Sequence, residues 1–228
     1  MALSHSPSMI TDGLMVYLDA ANTRSYPGTG NTWYDLLGRI NFTLQNSPPF
    51  LANSAGGSIG FTAANYHWAT SSSSLSLMTR FTVEVWHYYT GVLTGAAPCI
   101  VTETYFGTTG QINYNLGSTL SGAGLRVGYY NNGWNESSMY ALSANNWYHI
   151  SGTFDGTNFR LYINSVNQVT TPNGGTPTAN TGGIRLMRRW DFDEYWGGHL
   201  STVKIYNRAL SAAEIKQNFE ATRDRYGI

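Results

Sequence analysis

The sequence predicts an all-β fold, an antiparallel two-sheet sandwich closed by one short helix near the C-terminus. Three observations predict it. Roughly a dozen short apolar or alternating stretches recur at regular spacing, each bounded by Gly, Pro, Asn or Ser. Charged residues make up only 11% of the 228 positions, while Gly (25), Tyr (16) and Trp (7) are plentiful, as many strands and many turns require. One segment alone, beginning at Ser211, carries helix-start signals.

In chain order, residues 1–12 read as an extended arm, followed by a single domain over 13–228. Leu14 to Leu18 is a short apolar strand, and Tyr26-Pro27-Gly28 a turn in the loop after it. Further short strands are expected near Asn41 to Leu44, Ser58 to Phe61 and Tyr66 to Ala69. Phe81 to Tyr89 is the strongest strand: Phe81, Val83, Val85, His87 and Tyr89 face one way, Thr82, Glu84, Trp86 and Tyr88 the other. Cys99 to Thr104, Ile112 to Leu116, Leu125 to Tyr130 and Ser138 to Ala141 follow. Trp147 to Phe154 and Phe159 to Ile163 make a hairpin, because Asp155-Gly156 between them suits a turn that needs positive φ. Residues 171–183 form a Gly/Pro/Thr loop before the last strands, Ile184 to Met187 and His199 to Tyr206. The helix starts with Ser211 as N-cap and Glu214 three positions on, a capping box. Leu210 and Ile215 staple it, and Ile215 and Phe219 share its docking face.

Composition excludes several function classes. Net charge is zero and Lys occurs only at 204 and 216, so nothing draws the chain electrostatically to nucleic acid or anionic lipid. No apolar run reaches membrane-span length. The first residues lack a basic start and an apolar core, so no secretory signal is expected there. The single Cys99 allows no internal disulfide and reads as a small buried hydrophobe. These features fit folding in a reducing cytoplasm.

Three segments resemble the laminin-G-like branch of the concanavalin A-like lectin/glucanase superfamily. They are the opening strand GLMVYLD (Gly13 to Asp19), the hairpin NWYHISGTFDGTNFRLYIN (Asn146 to Asn164) and the closing run from Gly182 to Phe219 with its core KIYNRALSAAEI. The resemblance implies a jelly-roll sandwich. It does not by itself assign a function, since fold and site are separate claims. Glucanases of that superfamily place acidic residues at alternate positions along one strand. Here the matching strand has Glu84 with Thr82 and Trp86 at the alternates, and glycoside hydrolysis needs two carboxyls. The chain is therefore expected not to be an enzyme, with Glu84 a half-exposed strand residue or an arginine partner. The histidines show no metal-protease spacing. Relatives often hold Ca²⁺ through an early acidic stretch; here the corresponding residues, Phe61 to Tyr66, have lost the acids. Asp191, Asp193 and Glu194 are the remaining cation candidates, though Arg188 and Arg189 precede them and a charge-balanced turn is the expected state.

For recognition, the aromatic loops stand out. Tyr129, Tyr130 and Trp134, with Asn131 and Asn132, and Trp190, Tyr195 and Trp196, with acids between, mix rings and polar groups in the manner of a sugar site or a protein interface. Stand-alone laminin-G-like chains of this size resemble virion proteins of tailed phages, including cyanophages. That resemblance implies a capsid decoration or cement protein, or part of a tail, made in the host cytoplasm, binding other virion proteins and forming a homo-oligomer. The alternative is a lectin-like module recognising a cell-surface polysaccharide.

Overall fold

A computed structural model of the chain describes residues 7–75, 78–103, 112–118, 124–178, 182–189 and 193–228. Among the described residues sixteen strands run in the order β1 (Leu14–Asp19), β2 (Thr32–Trp33), β3 (Phe42–Gln45), β4 (Phe50–Leu51), β5 (Ser58–Phe61), β6 (Trp68–Ser71), β7 (Phe81–Leu93) and β8 (Cys99–Glu103). They continue as β9 (Ile112–Gly117), β10 (Arg126–Tyr130), β11 (Trp134–Glu136), β12 (Asn146–Phe154), β13 (Asn158–Ile163), β14 (Val166–Pro172), β15 (Ile184–Leu186) and β16 (Trp196–Tyr206); helix α1 spans Ala212–Glu220.

The strands form two antiparallel sheets. One has the order β14-β13-β12-β7-β16-β5-β4, with β1 also on β16; the other is β11-β10-β9-β8-β15-β6-β3-β2. Their facing sides make the core. Phe81, Val83, Val85, Ile150, Val203 and Ile205 from the first sheet meet Val101, Tyr114, Leu116, Val127 and Leu186 from the second, all fully buried. Phe81, Val83 and Val85 reach this core from alternate positions of β7, as its sequence predicts, and their burial removes apolar area from water.

The hairpin forms as its sequence predicts. Asp155 Oδ1 accepts the backbone N–H groups of Thr157 (2.9 Å) and Asn158 (2.7 Å), Gly156 sits at φ +96°, and Arg160 pairs with Asp155. Helix α1 has its full capping box between Ser211 and Glu214. Leu210 and Ile215 join one apolar cluster with Leu14 and Tyr206. Cys99 is buried among Ala97 and Ile112.

Three local expectations change. The expected strand at Ser138 to Ala141 is a single bridge, Leu125 to Tyr140, while Trp134–Glu136 pairs instead with β10. A polar strand, β14, fills residues that alternate too weakly to be read as one, and its side chains are mostly exposed. The N-terminal arm, where described, lies against its own chain. Asn218 Oδ1 accepts from Ile10 N–H (2.7 Å), Tyr206 O–H donates to the Ile10 carbonyl (3.1 Å), and Gln217 Nε2 donates to the Ser8 carbonyl (2.7 Å).

The outer face of the first sheet is organised in cross-strand rows. Strand register places Thr153, Thr82 and Tyr206 side by side, then Ser151, Glu84 and Lys204, then His149, Trp86 and Thr202. The chain's last segment covers these three rows. Thr82 Oγ1 donates to the Arg208 carbonyl and accepts from Leu210 N–H, both at 2.8 Å. Trp86 stacks on Tyr226 (3.7 Å, 8°) and Phe219 (5.8 Å, 20°), and its indole N–H reaches Thr222 Oγ1 at 2.9 Å.

Glu84 lies under this cover and is neither half-exposed nor paired to an arginine. It is 1% exposed. Lys204 Nζ sits 2.7 Å from its Oε1, Asn218 Nδ2 donates to its Oε2 at 2.9 Å, and His149 Nε2 lies 3.3 Å away, off the hydrogen-bond line. Burial alone would raise the Glu84 pKa, but Lys204 and His149 outweigh it and hold the carboxyl well below the usual carboxylate range.

Candidate functional site

The fourth row of the same outer face is left open. Register brings Trp147 on β12 beside Tyr88 on β7, Tyr88 beside His199 on β16, and His199 beside Gly60 on β5. Four residues distant in sequence thus stand next to one another, spanning roughly 14 Å at the usual strand spacing. All three rings are half-buried. Tyr88 stacks on His199 at 4.9 Å and 22°, and meets Trp147 edge-on at 5.6 Å and 61°. Trp147 leans on Tyr226 at 5.0 Å, so the covered rows brace the open one.

Two depressions meet at Leu51 and His199. The larger, about 590 Å³, is bounded by Tyr88, Trp147 and His199 on the sheet side and by Asn53 and Ser54 from the loop after β4. Ser54 Oγ lies 3.4 Å from His199 Nδ1. The smaller, about 310 Å³, runs from His199 past Gly60 and Gly197 to Pro49, Ala63, Thr90 and Val92. Among the described residues, His199 and the Tyr88 phenol are the ionisable side chains lining the two. Burial pushes the His199 pKa down, which favours a neutral ring near pH 7.

The floor is held from below. His87 is fully buried and pushed down to about 3 by burial. Its neutral ring accepts from the Trp196 indole N–H at Nε2 (3.0 Å), leaving Nδ1–H to donate to the His199 carbonyl at 3.0 Å. The β16 backbone therefore cannot drift under the rings. Gly197 and Gly198 are required beside it. A Cβ on Gly198, whose φ is +150°, would lie 2.2 Å from the Tyr88 carbonyl; one on Gly197 would lie 2.8 Å from that of Val92.

The sequence-predicted residues divide differently. Tyr129 is a core residue, packed on Phe154 and Phe159 at 5.4 and 5.6 Å, with Asn173 Nδ2 donating to its hydroxyl (2.7 Å). Trp196 is 2% exposed, its ring packed beside Tyr89 and its N–H tied to His87. Tyr195 is buried too, its hydroxyl donating to Asp193 Oδ1 at 3.2 Å. Burial removes these three rings from contact with a large ligand. Tyr130 and Trp134 keep partial exposure as an edge-to-face pair (5.2 Å, 69°) flanking the turn at Asn131 and Asn132. Trp190 and Asp191 lie outside the described residues.

Of the cation candidates, Asp193 pairs with Arg188 (2.5 Å), and Glu194 with Arg189 (3.0 Å) and the Ala97 N–H (2.8 Å). Among the described residues no three His, Cys, Asp or Glu side chains gather as a metal site would need. Among the described residues, too, no helix is long and apolar enough to cross a membrane.

Residues 61–216 match the family model for the concanavalin A-like lectin/glucanases superfamily. No curated protein matches the chain. Among solved structures, it is similar to domain 4 of AbnA, an extracellular arabinanase from Geobacillus stearothermophilus solved with arabinotriose, at 14% identity and a TM-score of 0.70, covering 90% of this chain and 97% of that one. It is similar to the binding domain of Paraclostridial Mosquitocidal Protein 1, at 16% identity and a TM-score of 0.69, covering 91% of this chain and 52% of that one. It also resembles Trypanosoma rangeli sialidase, at 14% identity and a TM-score of 0.66, covering 96% of this chain but only 34% of the sialidase. The match over 61–216, on a two-sheet sandwich whose opening strand, hairpin and capped helix all form, places this chain in the concanavalin A-like lectin/glucanase superfamily.

Proposed function

We propose that this domain is a non-catalytic carbohydrate-binding module, and that the Trp147–Tyr88–His199 row is its binding platform. The observation that carries this reading is the row itself. Half-exposed rings fixed by a sheet can stack on the apolar faces of sugar rings at little entropy cost, while Asn53, Ser54 and His199 beside them supply donors and acceptors for hydroxyls. A domain similar in fold was solved with arabinotriose, which favours the same direction. The state of Glu84 supports a non-catalytic role: it is buried under α1 and neutralised by Lys204. A general acid or nucleophile must instead reach its substrate.

A glycan array on the intact protein tests this. Binding that disappears in Trp147→Ala and survives in Trp134→Ala assigns it to the cleft. The reverse pattern moves it to the Tyr130–Trp134 hairpin, and no binding to any glycan overturns the reading. A second reading, a structural protein of a tailed-phage virion, is favoured by the scarcity of Lys and Glu, whose side chains cost entropy to order at a contact, and by the exposed Met139 and Val166, which would leave water there. It predicts fixed stoichiometry in purified particles, measured by mass spectrometry.

A further inference from the structure

The two depressions differ in chemistry, and the difference specifies what kind of glycan would fit. This inference rests on the cleft being a glycan site. The larger depression presents rings with amide and hydroxyl groups at its rim: Asn53, Ser54, Tyr88, Trp147 and His199. The smaller one presents the side chains of Pro49, Leu51, Ala63 and Val92, with Thr62 and Thr90 as its hydroxyls, and its floor is glycine backbone at 60 and 197. Val92 is 51% exposed near the end of β7, whose other valines, Val83 and Val85, are in the core. Gly60 is capped by Leu51, whose Cδ1 would stand 3.1 Å from any Cβ placed there, so the floor is shaped by a neighbour's methyl group and not by a polar side chain.

A sugar ring bearing only hydroxyls gains little in such a place, because each hydroxyl set against apolar carbon loses water without gaining a partner. A methyl group gains there by leaving water. A carboxylate or sulfate is disfavoured, since among the described residues neither depression is lined by a lysine or arginine to pair with it. We propose that the apolar depression beyond His199 is a subsite for the methyl-bearing substituent of a neutral glycan, an acetamido, O-acetyl or 6-deoxy group, whose ring rests on Trp147 and Tyr88.

The test uses isothermal titration of the full chain with three neutral oligosaccharides: chitotriose, an α-linked rhamnose trisaccharide and maltotriose. The expected result is that at least one methyl-bearing probe binds more tightly than maltotriose, by about fourfold or more for each methyl group buried. In Val92→Asp, whose side chain sits at the exposed strand end, that preference should vanish while maltotriose affinity holds. Near-UV circular dichroism confirms that the variant is folded, and Val92→Thr serves as a milder second variant. Equal affinity for all three probes overturns the subsite and leaves the glycan reading intact, provided Trp147→Ala still abolishes binding. A preference that persists in Val92→Asp also overturns it, because the methyl group would then sit elsewhere. Binding unaffected by Trp147→Ala, or binding of none of the probes, overturns the platform and the subsite together.

Discussion

The outer face of one sheet shows two treatments of the same surface. Three rows, from Thr82 to Trp86, are sealed by α1 and the turns around it; the fourth, at Tyr88, is open. Both ends place large side chains on β7, β12 and β16. At the sealed end Glu84 and Thr82 are satisfied within the chain, Glu84 by Lys204 and Asn218, Thr82 by the backbone at 208 and 210. At the open end, Tyr88, Trp147 and His199 are held in place by one another and stay half-exposed. A surface whose polar groups are used up serves stability, whereas one that keeps ring faces and polar groups at a concave rim serves recognition.

The largest expected effect breaks the sealed end. Glu84→Ala strands Lys204 as an unpaired buried charge and should cost about 3–5 kcal/mol, read as a lower urea midpoint. An unchanged midpoint would contradict the pairing. Next is Trp147→Ala at the open end. Glycan affinity should fall by about 2 kcal/mol or more, as for a central aromatic contact, while the urea midpoint moves much less. If the midpoint falls as far as in Glu84→Ala, the two ends are not functionally distinct.

Acid should strike the cleft floor first and the sealed end at lower pH. The Glu84 pKa is depressed in the fold, so its contribution is complete above the unfolded value of about 4.3 and is lost as pH falls below it. His87 is pushed down to about 3, so the unfolded chain takes up a proton that the folded one refuses. Stability therefore also declines as pH drops below about 6.5 toward 3. Thermal melts from pH 7 to 4 should show a falling midpoint, with a shallower slope between 6.5 and 4.5 in His87→Asn. A flat profile would rule out a buried neutral His87. The smallest effect belongs to Ser211→Ala, which removes the capping box. It should cost about 1 kcal/mol and leave glycan affinity untouched.

Features carried by neighbouring residues were legible in the sequence. Asp155-Gly156 announces the hairpin and Ser211 with Glu214 the helix start, because each interaction closes within a few residues. The cleft was not legible, since residues 60, 88, 147 and 199 meet only through strand register, which no local pattern discloses. Glu84 was misread for a similar reason: its partners come from residues 204 and 218. The aromatic loops misled because ring content does not say which way a ring points. Tyr129 faces Phe154 inside the sandwich, while its neighbour Tyr130 faces out toward Trp134.

Trp147 touches both ends, Tyr226 on one side and Tyr88 on the other. That shared ring has a thermodynamic consequence. A ligand resting on Trp147 also restrains the Arg223–Tyr226 turn packed behind it, so occupancy and local opening of that turn become linked equilibria. Saturating glycan should slow amide hydrogen exchange across the C-terminal turn, which lies behind Trp147 and is not part of the cleft lining. The chain's last residues would thereby act as a gauge of whether the cleft is filled.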